Sequence, residues 1–84
     1  MTKIKVQRVQ TGVRMEKKMV KVLKGLAEYF DMSLGDLLEG IVLHSFEGKS
    51  PFGNDTLVKI EEFKKIYSMN YDASASHNFI EEDE

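Results

Sequence analysis

From Val9 to Met15 the chain reads VQTGVRM, in which Val9, Thr11, Val13 and Met15 alternate with Gln10, Gly12 and Arg14. A period of two is that of a half-buried strand, so one strand is expected here. Ile4 and Val6 have the opposite parity. The strand therefore begins near Arg8 or is bulged there, and residues 1–7 are expected as a flexible basic arm. The period then lengthens: Met19, Val20, Leu23, Leu26, Ala27 and Phe30 recur three and four residues apart, with Lys17, Lys18, Lys21, Lys24 and Glu28 between them. That spacing predicts an amphipathic helix over about 16–30.

Ser33 followed by Asp36 is a start signal in which the hydroxyl caps free amides and the carboxylate suits the helix dipole. A second helix is expected over 34–46. Its apolar positions Leu34, Leu37, Leu38, Ile41, Val42 and Phe46 make a stripe wider than one short helix covers. Gly35 and Gly40 each cost about 1 kcal/mol relative to Ala, and mark either a close backbone approach or a tolerated poor residue. The segment EGKSPFGND (47–55) reads as a loop ending in Asn54 or Asp55 as the cap of a third helix, about 56–68. Leu57, Ile60, Phe63, Ile66 and Tyr67 form the apolar face of that helix, which is expected as an appendage to the core. Beyond Asn70 the periodicity is weak and the last four residues are acidic, so the end is expected to fray, with a turn capped by Asp72 or Ser74 left open. Met19, Leu23, Phe30, Leu38 and Phe46 are expected in the core.

Eighty-four residues with one proline and 42% hydrophobic content allow one small domain. The chain has no cysteine, which excludes disulfides and thiolate zinc sites and fits a reducing compartment. No apolar run approaches the roughly 18 residues of a membrane helix, and the start MTKIKVQR is unlike a signal peptide. A cytoplasmic protein without a membrane partner is expected. Chemistry is sparse as well. His44 and His77 stand alone, the serines lack a nucleophile-elbow context, and no glycine-rich phosphate loop is present. Neighbouring acids such as Glu61 and Glu62 point about 100° apart on a helix. No enzyme, metal site or cofactor is expected.

Charge changes the picture more than composition does. The net charge of -2 argues against a nucleic-acid binder. By segment, however, residues 1–24 hold Lys3, Lys5, Arg8, Arg14, Lys17, Lys18, Lys21 and Lys24 against Glu16 alone, a net +7, while the other 60 residues carry 4 basic and 13 acidic side chains, a net -9. Such asymmetry marks a face that meets a polyanion. A lone strand exposes an edge that invites pairing with another chain, and a homodimer resolves this by joining two copies of Val9–Met15 antiparallel. Val9, Thr11, Val13 and Met15 would then join Leu38, Ile41, Val42 and Phe46 in a dimer core, leaving Gln10, Gly12 and Arg14 outward.

The order strand, helix, short turn, helix over about residues 8–46, with VQTGVRM, EKKMVKVLKGLAEYF and the turn D-M-S-L, resembles the ribbon-helix-helix superfamily of DNA-binding proteins. The resemblance implies a mostly α fold with one N-terminal β-strand, an intertwined homodimer with a two-stranded antiparallel intermolecular sheet, and here a C-terminal helical extension. Its ribbon would enter the DNA major groove, with Gln10, Gly12 and Arg14 reading bases: arginine suits guanine, and glutamine adenine. Gly12 departs from the polar residue usual at that position. Phosphates would meet the amides of Ser33, Leu34 and Gly35 at the start of the second helix, and Lys3, Lys5, Arg8, Lys17 and Lys18.

The expected organisation is an arm (1–7), a DNA-binding and dimerisation domain (8–47), and a loop, third helix and acidic tail (48–84). The expected function is a sequence-specific transcriptional regulator, a repressor, whose partners are double-stranded DNA and itself, as a homodimer that assembles further on DNA. Two alternatives stay open: an antitoxin whose residues 50–84 bind a toxin, and a dimeric scaffold without DNA binding.

Overall fold

The computed structural model of the chain describes residues 3–82; the first two residues of the expected arm and the last two of the acidic tail lie outside them. Three helices of 13 residues each, α1 (Lys17–Tyr29), α2 (Leu34–Phe46) and α3 (Asn54–Ile66), are followed by a short 3-10 turn at Ala73–Ala75. Their starts differ. Glu16 caps α1, its carboxylate accepting from the amides of Lys18 at 2.9 Å and Met19 at 3.0 Å. Ser33 caps α2 through Oγ, 3.1 Å from the Asp36 amide, as its spacing predicts. Gly53 precedes α3 without a side-chain cap, so neither Asn54 nor Asp55 serves as one.

The three helices stop in one way. Met32 and Asp31 donate to the carbonyls of Ala27 and Glu28, Lys49 and Gly48 to those of His44 and Ser45, and Met69 and Ser68 to those of Lys64 and Lys65. Each is a Schellman pattern, with a left-handed residue satisfying the orphan carbonyls of the last turn. Gly48 takes that conformation without cost, whereas Asp31 and Ser68, both at φ 56°, adopt it against the preference of an L side chain.

Among the described residues there is no β-strand, and the architecture is all-α. The expected ribbon-helix-helix topology, with its single strand and two-stranded intermolecular sheet, is therefore corrected. Alternation at 9–15 marks two faces of an extended chain, but a strand also needs a ladder for its amides and carbonyls. Among the described residues, no other segment of this chain lies alongside 9–15 to supply one. Residues 3–15 instead run irregularly along the outside, with Val9 86% and Val13 73% exposed.

The core sits where α1 meets both other helices. Leu26, Ala27 and Leu37 are buried together, and Leu23, Ile41, Phe52, Ile60 and Phe63 pack around them. Thus α3, expected as an appendage, is a principal partner of α1. Its close approach is set by Gly25, where a side-chain Cβ would lie 3.1 Å from the Phe63 ring. Gly35 and Gly40 mark no such approach. Phe63 also meets Tyr29 edge to face at 6.4 Å, and the Lys59 ammonium lies 4.9 Å from the Tyr29 ring centre. Of the expected core residues, Met19, Leu23 and Leu38 are half-buried, whereas Phe30 and Phe46 are exposed, Phe46 to 81%. No helix among the described residues is long and apolar enough to cross a membrane.

Candidate nucleic-acid interface

α1 divides its surface sharply. Val22, Leu26 and Ala27 are buried, whereas Lys17, Lys18, Lys21 and Lys24 are exposed. Lys17, Lys21 and Lys24 follow at i, i+4 and i+7, the spacing of one helical stripe, with Lys18 beside it. In an isolated helix each like-charge pair at i, i+4 costs roughly 0.2–0.5 kcal/mol, and cations near a helix start oppose its dipole. The Glu16 carboxylate at the helix start offsets part of this through its caps and the nearby Lys18 charge. Among the described residues, no ion pair within 4.0 Å involves Lys17, Lys18, Lys21, Lys24, Lys3 or Lys5. Of the four lysines later in the chain, Lys49, Lys59 and Lys64 pair with Glu47, Glu62 and Glu61, and Lys65 is in no such pair.

The two arginines are tied. Arg8 grips Glu39 of α2 with two parallel bonds, Nε to Oε2 at 3.0 Å and Nη2 to Oε1 at 2.9 Å. The Glu39 hydrogen bond and charge hold Arg8 above its ordinary pKa, and the same guanidinium holds Glu39 below the usual carboxylate range. The pair fastens the outer segment to α2 at one point. Arg14 reaches Glu81 at 3.1 Å.

Gln10 and Gly12 lie between these anchors, both exposed, and nothing lies within 4 Å of where a Gly12 side chain would begin. Gln10, Gly12 and Arg14 are exposed, but so is every other residue of 3–15, and no strand sets the three on a face of their own. Ser33, Leu34 and Gly35 start α2 beyond the far end of α1, roughly 20 Å of helix away from Lys17 and Lys18. The Ser33 hydroxyl is engaged by its cap, Leu34 is half-buried and Gly35 is open. The structure does not gather these three with the lysine face. The residues expected in a dimer core are also divided: Val9, Thr11, Val13, Met15, Val42 and Phe46 are exposed in the single chain, and Leu38 and Ile41 are half-buried.

Sequence reasoning missed the role of Glu16 and Tyr71. Besides capping α1, the Glu16 carboxylate accepts a hydrogen bond from the Tyr71 hydroxyl, joining the start of α1 to the segment after α3. Burial pushes Glu16 up. The amide of Lys18, the Tyr71 hydroxyl and the amide of Met19 together outweigh this and hold it below its ordinary value. Burial and the adjacent Glu16 carboxylate push the Tyr71 phenol up to about 12. The Tyr71 ring packs edge to face on Phe79 at 5.1 Å, and residues 14–18 face residues 79–82 across an open cleft. A cap signal at Glu16 was legible as a lone acid before a run of lysines; its long-range partner was not.

Elsewhere, His44 donates from Nδ1 to the Gly40 carbonyl at 2.8 Å, one turn back on its own helix. No cluster of three potential metal ligands occurs among the described residues. Set beside models of protein families, curated proteins and solved structures, the chain matches none of them, so its surface chemistry alone bears on its function.

Proposed function

We propose that this protein is a double-stranded DNA-binding regulator that holds the duplex with the lysine face of α1 and the exposed segment 3–15. The observation that carries this reading is the run of exposed lysines, Lys3, Lys5, Lys17, Lys18, Lys21 and Lys24, without a carboxylate partner among the described residues in a chain whose net charge is negative. Lysines so placed contribute affinity through phosphate contacts and counterion release, without sequence information. Gln10 and Arg14 are the residues for base edges, carried on an extended arm of the kind that places arginine in a groove. The packing of α3 on α1 favours this regulator over a protein that reserves residues 50–84 for a toxin.

Titration of a labelled duplex at several salt concentrations tests the reading. Each lysine that touches a phosphate contributes about -0.9 to the slope of log K against log salt, so replacing Lys17, Lys18, Lys21 and Lys24 by glutamine flattens that slope by up to about 3.6. Negligible binding at low salt, or an unchanged slope in the four-lysine variant, would falsify it. Selection from random duplexes then separates a sequence-specific regulator, which enriches a motif, from a general DNA coat, which does not.

A further inference from the structure

The segment after α3 returns to the start of α1 and sets a carboxylate on Arg14. Three contacts define this return: the Tyr71 hydroxyl on Glu16, the Tyr71 ring against Phe79, and Glu81 Oε1 at 3.1 Å from Arg14 Nη2. The first two hold the segment and the third occupies the cation. A carboxylate on a guanidinium uses the same donors that a phosphate or a guanine edge would use. Arg14 cannot serve both.

We propose that Glu81 is an intramolecular competitor for the polyanion, delivered to Arg14 by the Tyr71–Phe79 anchor, so that DNA must displace it before Arg14 engages. This rests on the DNA-binding reading and adds an internal control to it. The geometry suits competition better than permanent closure. Arg14 and Glu81 side chains are 88% and 76% exposed, so the pair is screened by salt and separable, whereas the Tyr71 anchor is half-buried. Because the competitor is tethered a few residues beyond its anchor, its local concentration is high even though its own affinity is low. Ile80, at 94% exposure, makes no packing that would resist displacement.

The proposal is tested in the full chain by anisotropy with a labelled mixed-sequence duplex, comparing wild type, Glu81→Gln, Asp55→Asn as an equal charge change on α3 at an exposed acid, and Glu81→Gln combined with Arg14→Gln. Removing an exposed ion pair that DNA must otherwise break raises affinity by up to about fivefold, and because salt screens that pair the advantage of Glu81→Gln over wild type grows as salt falls, a modest steepening of the salt dependence. Asp55→Asn shows no such steepening, and in the Arg14→Gln background the effect of Glu81→Gln disappears. If Glu81→Gln behaves like Asp55→Asn, or keeps its advantage without Arg14, the competition is refuted while the DNA-binding reading stands. If neither wild type nor Glu81→Gln binds at low salt, both are refuted.

Discussion

Glu16 shows how much one side chain can join. Its carboxylate ends the unpaired stretch of α1 amides and receives the only hydroxyl that reaches back from beyond α3 among the described residues. Replacing it with alanine removes a cap, at about 1 kcal/mol, and releases Tyr71 as well. Urea denaturation of Glu16→Ala is therefore expected to show a loss of at least that size, with Glu16→Gln losing less. The pH dependence follows from the two shifts. Tyr71 is raised to about 12, above its unfolded value near 10, so its contribution is complete below about pH 10 and is lost as pH rises through about 12. Glu16 is depressed, so its contribution is present above the ordinary carboxylate range and is lost as pH falls through its lowered value. A tyrosinate absorbance titration should show a late transition that vanishes in Tyr71→Phe; identical curves for the two proteins would contradict the bond to Glu16.

At the level of elements, the extents of α1 and α2 and the start of α2 were legible because those signals are local. The Glu16 cap was missed, and α3 begins after Gly53 rather than after a cap at Asn54 or Asp55. Ser33 and Asp36 announced α2 within three residues, and the apolar spacing of α1 and α2 matched the helices that form. Close packing was not legible in this way. Three glycines lie within helices, and spacing drew attention to Gly35 and Gly40, yet it is Gly25 against Phe63 that seats α3 on α1. The distinction is measurable. Gly25→Leu forces the Phe63 ring aside and is expected to cost about 1–3 kcal/mol, whereas Gly40→Ala meets open space and gains roughly 0.5–1 kcal/mol from helix propensity. Equal effects of the two substitutions in thermal unfolding would count against the α1–α3 arrangement.

The whole chain is spread thinly for its size. Its radius of gyration is 14.5 Å, against about 12 Å for a compact domain of this length. Its accessible surface is 7759 Å², whereas a folded monomer of this mass exposes roughly 5100 Å². Part of the excess is segment 3–15, and part is apolar: Leu43 and Phe46 on α2 and Ile66 on α3 are 64%, 81% and 67% exposed. Leu43 and Phe46, one turn apart on α2, form a small apolar patch of the kind that marks an interaction surface. Self-association is the expected outcome: sedimentation equilibrium should give a mass above the 9.6 kDa of one chain, falling toward it in Phe46→Ser. A monomer at all concentrations would assign the patch to a different partner.

By itself the sequence determined the three helices, the Ser33 cap that begins the second, and the segregation of +7 from -9, because propensity, capping and charge act over a few residues. Only the tertiary structure decided that residues 9–15 form no strand, that α3 belongs to the core, and that Glu16 and Arg14 meet Tyr71 and Glu81. The reason is the same in each case. A period shows which face a segment presents, but a ladder, a glycine contact or a half-buried hydroxyl needs a partner many residues away, and periodicity does not name that partner.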